Sequence, residues 1–362
     1  MAFRVGIIGC GRMADTIEDE QVSRRKKKPY RGGLALPYSH AAGYAAVKET
    51  EVVAACDIRQ ERLNEFSQRW NVSACYTNYR QMIEEQRLDI VSVTTRPEHH
   101  AEQMIFAANQ GVKGIYAEKP LCMTLEETDA ICQAFECNGT HLEYGPIYRH
   151  WAVYEQARII VEGGELGEIK SVLAFEGKAL EGHFIDLLLY LLGDPKPVSM
   201  RGIISDADRA ETEIISKITN LEPLDDETRF TDASLLLAQI EFDNDTTAYV
   251  AQTGVGREVE LVCSNGTIRV CNDGEFLQVR HRDTVSGAFD IVPVESKQQW
   301  SGTIHKIEDL VRAIRTGKPG RSNLEVAMIG QEIGFGLYES HLKGGVAVEP
   351  PIPRRGLWIS SW

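Results

Sequence analysis

A glycine-rich turn that follows a short apolar run constrains the fold of this chain more than any other feature. Residues 3–8, Phe-Arg-Val-Gly-Ile-Ile, have the composition of a β-strand, and residues 9–14, Gly-Cys-Gly-Arg-Met-Ala, follow directly. In such a G-x-G-x-x-A turn, the glycines allow a tight turn and a close approach of phosphate oxygens, and the small third residue lets the next helix pack closely. The helix N-terminus attracts the same anion. The motif therefore predicts a site for a dinucleotide pyrophosphate. Its candidate residues are Gly9, Gly11, Arg12, Met13 and Ala14.

An acidic residue after the next predicted strand supports this interpretation. Residues 51–56 form an apolar run, and Asp57 stands at its end. A carboxylate there can accept both ribose hydroxyls of the adenosine half of the cofactor. It would repel a 2′-phosphate, so we expect NAD to be preferred over NADP. Arg59 could instead bind a 2′-phosphate, so NADP remains possible as the cofactor.

An inserted segment explains why Asp57 lies roughly twice as far from the glycines as the usual distance of about 20 residues. Residues 21–38 contain a basic run from Arg24 to Lys28, two prolines and a glycine pair, a composition that predicts a loop. The basic run fits either a solvated surface or a contact with phosphate. Because the insert follows the glycine turn closely, we expect it to lie over or beside the cofactor cleft, where Tyr38 could face the pocket.

Strand and helix patterns alternate as far as about residue 146, which predicts a parallel, doubly wound sheet with helices on both faces. Beyond that point, a series of strands with turn signals such as Asn265-Gly266 predicts a mostly antiparallel sheet. We therefore expect an α/β Rossmann domain over residues 1–146 and an α+β domain over residues 147–362. Residues 205–230 are polar and acidic and are predicted to form a long loop.

Composition excludes several classes of protein. A formal charge of −14 argues against nucleic acid or an anionic membrane as the main partner, and no apolar run reaches the roughly 18 residues of a membrane-spanning helix. The start Met-Ala-Phe-Arg leads directly into a strand, so we expect no signal peptide and a cytoplasmic location. The eight scattered cysteines are then expected to be reduced and mostly buried. No cluster has the spacing of metal ligands, so no metal is expected.

Two further segments resemble a known family. Glu118-Lys119-Pro120 follows a predicted strand, and His183 and Asp186 open an apolar helix. Together and in this order they resemble the glucose–fructose oxidoreductase / inositol dehydrogenase / rhizopine-catabolism (Gfo/Idh/MocA) family of NAD(P)-dependent enzymes. Glu-Lys-Pro is the most specific mark of that family, and His-x-x-Asp is its partner. The resemblance covers essentially the whole chain.

The resemblance implies an oxidoreductase that moves hydride between a nicotinamide and a secondary alcohol carbon of a sugar, inositol or related polyol. Lys119 and His183 would be catalytic, because an amine can hold and acidify a hydroxyl and an imidazole can take its proton. The other residues implied are Tyr148, Arg149 and Asp186 for the substrate, and Thr95, Arg96, His100, Glu118 and Lys119 for the cofactor. A homodimer or homotetramer packed through the long sheet is also implied.

One departure from the family pattern keeps other functions open. Many members carry Asp four residues before the histidine, whereas this chain has Ala179. Lys178 or Glu181 could substitute for it. Two alternatives therefore remain: an NAD-dependent glycosidase or lyase that oxidises its sugar transiently, and an NAD-binding regulator without catalysis.

Overall fold

The computed structural model describes residues 2–27, 35–175, 177–205, 229–254, 256–283, 285–297 and 300–360. Over these ranges, the chain forms two large β-sheets with helices packed against them. All eight cysteines are free, and five of them are buried. No helix within the described ranges is long and apolar enough to cross a membrane.

The first sheet has six parallel strands in the order β3-β2-β1-β4-β5-β6. Their bounds are β1 Phe3–Ile8, β2 Thr50–Cys56, β3 Ala74–Tyr76, β4 Ile90–Val93, β5 Gly114–Ala117 and β6 His141–Tyr144. The predicted Rossmann arrangement is confirmed, although β3 was missed because three residues give too short a pattern. The strand order reverses between β1 and β4, so ligands are expected outside the carboxyl ends of these two strands.

Helices cover both faces of this sheet, and each face has its own apolar core. A π-helical turn at Arg12–Thr16 leads from the glycine turn into the first helix. The helices are α1 Ile17–Lys27, α2 His40–Ala46, α3 Gln60–Trp70, α4 Tyr79–Gln86, α5 His100–Asn109 and α6 Leu125–Asn138, with a 3-10 turn at Pro97–His99.

The insert predicted as a loop over residues 21–38 is wrong in its first part, because α1 continues through residues 21–27. Glu18, Asp19 and Glu20 lie in the first turn of α1, and the basic run follows towards its end. This order of charges stabilises a helix through its dipole. Residues 28–34 lie outside the described ranges, as do the side chains of the basic run, so its predicted phosphate contact stays a prediction.

The second sheet has eight strands in the order β15-β14-β13-β12-β7-β11-β10-β8, and all its neighbours are antiparallel except β7 and β11. The bounds are β7 Ile169–Phe175, β8 Pro197–Ile204, β10 Leu235–Phe242, β11 Thr247–Ala251, β12 Glu258–Cys263, β13 Gly266–Cys271, β14 Phe276–Arg282 and β15 Phe289–Val294. Two short strands, β9 Arg229–Thr231 and β16 Trp358–Ser360, form a separate parallel pair. The predicted mostly antiparallel sheet is confirmed. Most of the loop predicted at 205–230 lies outside the described residues.

Helices of the C-terminal part also pack on the first sheet. The helices here are α7 Ala152–Glu162, α8 His183–Leu192, α9 Gly302–Thr316 and α10 Leu324–Leu342, with a 3-10 turn at Tyr148–His150. Ile307, Leu310 and Val311 of α9 share an apolar core with Val5 and Tyr44. Packing therefore assigns α9 to the first sheet, although it lies far beyond residue 146 in the chain.

A buried ion pair fixes α9 to the end of β6. Lys306 and Glu143 are both fully buried, and the ammonium donates to the Glu143 carboxylate at 3.0 Å. It also donates to the carbonyl oxygens of Tyr144 and Pro146. Burial raises the pKa of Glu143 to about 7, although Lys306 opposes this shift. One side chain thus satisfies three acceptors where the two parts of the chain join.

We expect Lys306→Met to lower the free energy of unfolding by about 3–5 kcal/mol, the usual effect of removing one partner of a buried pair. The change removes the charge that pairs with Glu143 and leaves two carbonyl oxygens without a donor. Urea unfolding would measure it. The double variant Lys306→Met/Glu143→Gln should recover part of the loss, because it no longer buries an unpaired carboxylate. A loss below about 1 kcal/mol, the typical worth of an exposed pair, would contradict this role.

Candidate functional site

The glycine turn after β1 leaves open space where a side chain would otherwise stand. Gly9 has a φ of +92°, and a Cβ there would lie 3.0 Å from the carbonyl group of Thr94, so this position requires glycine. A Cβ at Gly11 would meet no atom within 4 Å. Ala14 is fully buried in the core beneath the turn. The turn therefore fits the close approach of a pyrophosphate.

Asp57 lies beside this turn, at the end of β2. Its carboxylate accepts a hydrogen bond from the backbone N–H of Cys10 at 2.8 Å and another from that of Arg59 at 2.9 Å. The exposed Arg59 guanidinium lies 3.7 Å from the same carboxylate. Asp57 thus has the position from which a carboxylate can accept ribose hydroxyls, and Arg59 stands next to it.

Glu118 and Lys119 follow β5, and a buried histidine holds Glu118 from behind. The Glu118 carboxylate lies 3.1 Å from His40 Nε2, and His40 Nδ1 lies 2.6 Å from Ser92 Oγ. The His40 ring stacks on Tyr116, with ring centres 3.8 Å apart. Burial would raise the pKa of Glu118, but the hydrogen bond with His40 and the positive charge of Lys119 lower it to about 2. Glu118 is therefore an ionised, fixed group behind Lys119.

A cleft of about 230 Å³ brings both parts of the chain together. Its lining includes six of the residues predicted from the sequence: Arg12, Met13, Tyr38, Glu118, Lys119 and His183. The glycine turn, the turn after β5 and the start of α8 therefore share one space. Among the described residues, no group of three or more His, Cys, Asp or Glu side chains could hold a metal ion.

His183 is the first residue of α8 and stands against Lys119. Gly182 has a φ of +87°, and a Cβ there would lie 3.2 Å from the Cβ of Lys119. Burial, and then the positive charges of Lys119 and Arg257, lower the pKa of His183 well below its usual range. Its Nδ1 has no hydrogen-bond partner among the described residues. His183 is therefore neutral at pH 7 and can accept a proton.

Tyr148 flanks His183 and connects it to an arginine. The two ring centres lie 4.9 Å apart, and the Tyr148 hydroxyl accepts a hydrogen bond from Arg257. The Arg257 guanidinium lies 4.7 Å from the Tyr148 ring centre and 3.8 Å from the carboxylate of Glu181. Of the two side chains that could substitute for the acid missing at Ala179, Glu181 is thus the one that reaches the surroundings of His183.

Arg149 does not face the cleft, which corrects its predicted contact with substrate. The side chain is fully buried; its Nε donates to Asp186 at 2.6 Å and its Nη1 to Asp194 at 3.0 Å. A buried guanidinium with two carboxylates is a structural group, and it holds the turn that carries Tyr148 on α8. Burial raises the pKa of Asp186 in spite of Arg149. The Oδ2 atom of Asp186 has no hydrogen-bond partner among the described residues, so its role towards substrate stays a prediction.

His100 is also buried, which corrects its predicted contact with cofactor. Its Nδ1 lies 2.9 Å from the Pro120 carbonyl oxygen, and its Nε2 lies 3.1 Å from that of Thr95. Burial lowers its pKa, so the ring is neutral and donates to one of the two. His100 therefore ties the turn after β4 to the turn that carries Lys119. Thr95 lies next to Gly9, and Arg96 is exposed.

Both ends of the insert reach the cleft. Gln21 on α1 and Tyr38 ahead of α2 belong to its lining, so the prediction that Tyr38 faces the pocket is confirmed. The Glu18 carboxylate accepts hydrogen bonds from the backbone N–H groups of Tyr38 at 2.7 Å and Ser39 at 2.9 Å. The side of the cleft opposite Lys119 is therefore built partly by the insert.

Sequence reasoning missed three residues at or beside the site: His40, Gln21 and Arg257. His40 directly follows the Ser39 cap of α2, and a histidine in an otherwise small, apolar helix was a signal that could have identified it. Gln21 and Arg257 gave no such signal. Their positions depend on the continuation of α1 and on the packing of β12, which no local pattern reports.

Comparison with known proteins gives a consistent result. Residues 3–145 match the model of an oxidoreductase family with an NAD-binding Rossmann fold. A D-glucoside 3-dehydrogenase of Escherichia coli (strain K12) is 26% identical over 215 residues, which cover 53% of this chain and 55% of that protein. The chain thus spans about half the length of this relative. A scyllo-inositol 2-dehydrogenase (NAD(+)) of Bacillus subtilis (strain 168) is 23% identical over 347 residues, covering 88% of this chain and 94% of that protein.

A solved structure has the same fold along nearly the whole chain. The structure of a levoglucosan dehydrogenase in complex with NADH and levoglucosan has a TM-score of 0.74 and 19% identity. The match covers 97% of this chain and all of the other. Both sheets and the order of their elements are therefore shared with it.

We expect Gly11→Ala to leave the free energy of unfolding within about 0.5 kcal/mol of its starting value, as for substitutions that disturb no contact. A Cβ there meets no atom of the protein. It would enter the space open to a pyrophosphate, so the affinity for NADH should fall at least about tenfold, or 1.4 kcal/mol. Urea unfolding and a fluorescence titration with NADH would measure the two effects.

Gly9→Ala is the matched comparison. At this position, the positive φ and the nearby Thr94 carbonyl group should lower the free energy of unfolding by about 1–3 kcal/mol, in addition to any effect on NADH binding. If Gly11→Ala bound NADH as tightly as the natural protein, the open space at Gly11 would not be the pyrophosphate site.

Proposed function

We propose that this chain is a member of the glucose–fructose oxidoreductase / inositol dehydrogenase / rhizopine-catabolism family and an NAD(P)-dependent dehydrogenase. It transfers hydride between the nicotinamide and a secondary alcohol carbon of a sugar, an inositol or a related polyol. The observation that carries this proposal is the shared cleft of Lys119 and His183, which adjoins the glycine turn.

The chain's own residues fit a bound dinucleotide. Gly9 and Gly11 shape the turn for the pyrophosphate, Asp57 accepts the ribose hydroxyls, and Arg12 and Met13 continue from the turn into the cleft. When bound, the cofactor supplies the carbon that accepts or donates hydride. One curated relative is named an NAD(+) enzyme, which supports NAD as the cofactor.

His183 is the proton acceptor in the oxidation direction. The lowered pKa of His183 keeps the imidazole neutral. His183 is the first residue of α8 and lines the same cleft as Lys119. Transfer of the hydroxyl proton to His183 builds negative charge on the substrate oxygen, and this electron pair forms the carbonyl bond when hydride leaves the carbon that bears the oxygen for the nicotinamide. The Lys119 ammonium stabilises that oxygen as it becomes charged.

Glu118 and His40 position Lys119. The Glu118 carboxylate is buried and ionised, and it also accepts a hydrogen bond from the Lys119 backbone N–H at 3.3 Å. His40 fixes the other carboxylate oxygen. A cation held in a fixed position beside the cleft can stabilise a developing alkoxide.

Transient oxidation followed by elimination or hydrolysis is the second candidate. The observation that favours it is the buried Ala179, where the family resemblance implies an acid, together with Glu181 paired to Arg257. Such an enzyme would regenerate its cofactor in each turnover. It would convert a glycoside without a net change in NADH absorbance, whereas a dehydrogenase changes it in proportion to product. A regulator would bind the cofactor, but it would neither convert a glycoside nor change the NADH absorbance.

The open face of the second sheet supports a homodimer or homotetramer. Leu237 of β10, Tyr249 of β11 and Ile203 of β8 expose large side chains on neighbouring strands. Contiguous exposed apolar surface of this kind is typical of protein interfaces. The free cysteines support a reducing compartment, which we take to be the cytoplasm.

We expect Lys119→Ala and His183→Ala each to lower kcat by roughly 10²-fold or more, the range for removal of a positioned acid–base group. Steady-state NADH formation with a panel of sugars and inositols would measure this. Lys48→Ala and His99→Ala are the matched controls, because both side chains are exposed outside the cleft. The affinity for NADH should change little in His183→Ala. Near-normal turnover of either cleft variant would remove that residue from the mechanism.

We expect tighter binding of NADH than of NADPH, because the Asp57 carboxylate repels a 2′-phosphate. Fluorescence titrations of both cofactors would measure the preference, and Asp57→Ala should narrow it. Arg59 is exposed and lies 3.7 Å from that carboxylate. Arg59→Ala is therefore the companion variant, which tests whether Arg59 binds a 2′-phosphate. Binding of NADPH at least about tenfold tighter than NADH would show that Asp57 does not have this role.

A further inference from the structure

The segment ahead of His183 brings no acid to it from position 179. Ala179 is 1% exposed and lies in the apolar core of the C-terminal part. The next residue, Leu180, donates its backbone N–H to the carboxylate of Asp232 at 3.1 Å, so this segment is fixed. A hydrogen bond at the second ring nitrogen commonly orients a functional histidine, yet Nδ1 of His183 is buried and has no such partner among the described residues. Packing must therefore hold the ring.

Tyr148 is the side chain that packs on the His183 ring. The two ring centres lie 4.9 Å apart, and the ring planes are inclined by 34°. Tyr148 in turn packs edge-on against Trp151, with ring centres 4.6 Å apart, and against Tyr154 at 5.6 Å. Aromatic rings at such distances favour a limited set of mutual orientations. The position of Tyr148 therefore restricts the orientation of His183.

Arg257, directly before β12, holds Tyr148 from the other side. Its guanidinium lies 4.7 Å from the Tyr148 ring centre, and its Nη1 donates to the Tyr148 hydroxyl. The Glu181 carboxylate lies 3.8 Å from Nη2, which is beyond hydrogen-bond distance. The backbone N–H of Arg257 donates to the Asp273 carboxylate at 3.3 Å. The guanidinium is thus anchored on Tyr148 by both its face and its edge.

The charges around His183 come from several elements of the fold. Burial lowers the pKa of His183, and so do the positive charges of Lys119, Arg257 and Lys306, whereas Glu118 opposes them. The hydroxyl of Tyr144, at the end of β6, adjoins the residue before His183 and stays uncharged, because burial raises its pKa. An acid paired with a histidine would act in the opposite direction, since it stabilises the charged ring.

We propose that Arg257 is a positioning residue, which holds the His183 ring in place through Tyr148 and takes over the orienting task of the acid that the family resemblance implies at position 179. This inference rests on the proposed dehydrogenase function and deepens its mechanism. Glu181 is then a neighbour of Arg257 and not the acid that orients His183. The charge of Arg257 also disfavours protonation of His183 before the substrate proton arrives.

The test separates the charge of Arg257 from its shape. Arg257→Gln removes the charge and keeps a donor for the Tyr148 hydroxyl, whereas Arg257→Lys keeps the charge and loses the flat guanidinium. Glu181→Gln tests the neighbouring acid, and Arg282→Met is the control, because Arg282 is exposed at the end of β14. NADH formation from NAD with myo-inositol, D-glucose and D-galactose is followed from about pH 5 to about pH 9.

We expect Arg257→Gln to move the acidic limb of the kcat/KM profile to higher pH, because a charged ring then costs less. The kcat/KM at about pH 6, relative to that at about pH 8, should fall at least about threefold. Arg257→Lys should keep the limb in place but lower kcat at least about tenfold, because the proton acceptor is no longer held in position. Glu181→Gln and Arg282→Met should keep kcat within about threefold of the natural value, since such pairs contribute little.

A second readout does not depend on turnover. In protein labelled with ¹³C-histidine, the Cε1–H signal of His183 is assigned by its absence in His183→Gln and is titrated with pH. It should change at higher pH in Arg257→Gln than in the natural protein, and Arg257→Lys should follow the natural protein. Melting temperatures show whether each variant is folded. Should Arg257→Gln not fold, Arg257→Lys decides: a lowered kcat with an unchanged limb supports the proposal, and an unchanged kcat overturns it.

Failure of this proposal and failure of the dehydrogenase function give different results. Natural pH profiles and natural His183 titration in Arg257→Gln overturn the role of Arg257 and leave the dehydrogenase in place. A loss of kcat in Glu181→Gln as large as that in Arg257→Lys also overturns it, because the acid would then orient His183. Absence of turnover with every compound overturns the dehydrogenase, and the His183 titration alone then decides on Arg257.

Discussion

The turn after β5 is the part of the structure on which the candidate site depends, and two buried histidines hold it. His40 contacts the Glu118 carboxylate from one side, and His100 contacts the Pro120 carbonyl oxygen from the other. Lys119 lies between these two anchored residues. Preorganisation of this kind matters, since a charged group stabilises a developing alkoxide only when it stands in place before the reaction. Neither histidine touches the cleft directly, yet both set the position of the residue that does.

Buried ion pairs hold His183 close to Lys119, at the junction between the first sheet and the C-terminal part of the chain. Arg149, paired with Asp186 and Asp194, holds the segment that carries Tyr148 on α8, and α8 begins with His183. Lys306 joins α9 to the end of β6 in the same region. Buried pairs contribute little net stability, but they accept only one geometry. Their value here is that the relative position of Lys119 and His183 is fixed.

Much of the fold could be predicted from the sequence, because the strands are regular and end at clear turn signals. The alternation as far as about residue 146 and the turn signals beyond it predict the two sheets correctly, and the Glu-Lys-Pro and His-x-x-Asp segments meet in one cleft. The two errors about burial have one physical cause. Arg149 and His100 are polar residues, and no local pattern distinguishes a polar side chain that is buried against protein groups from one that faces the cleft. The strand β3 has only three residues, which is too short to give a pattern, and in residues 21–27 the order of charges that favours a helix outweighs a composition typical of loops.

The packing of α9 on the first sheet has a consequence for synthesis of the protein on the ribosome. Ile307 and Leu310 complete the core on the face that also contains Val5 and Phe66. All six strands of that sheet have been made by residue 144, yet this core is filled only when residues 302–316 have left the exit tunnel. Domains generally fold as units and in N-terminal order. The part of this face that α9 covers in the folded chain therefore stays uncovered until residue 316 has been translated.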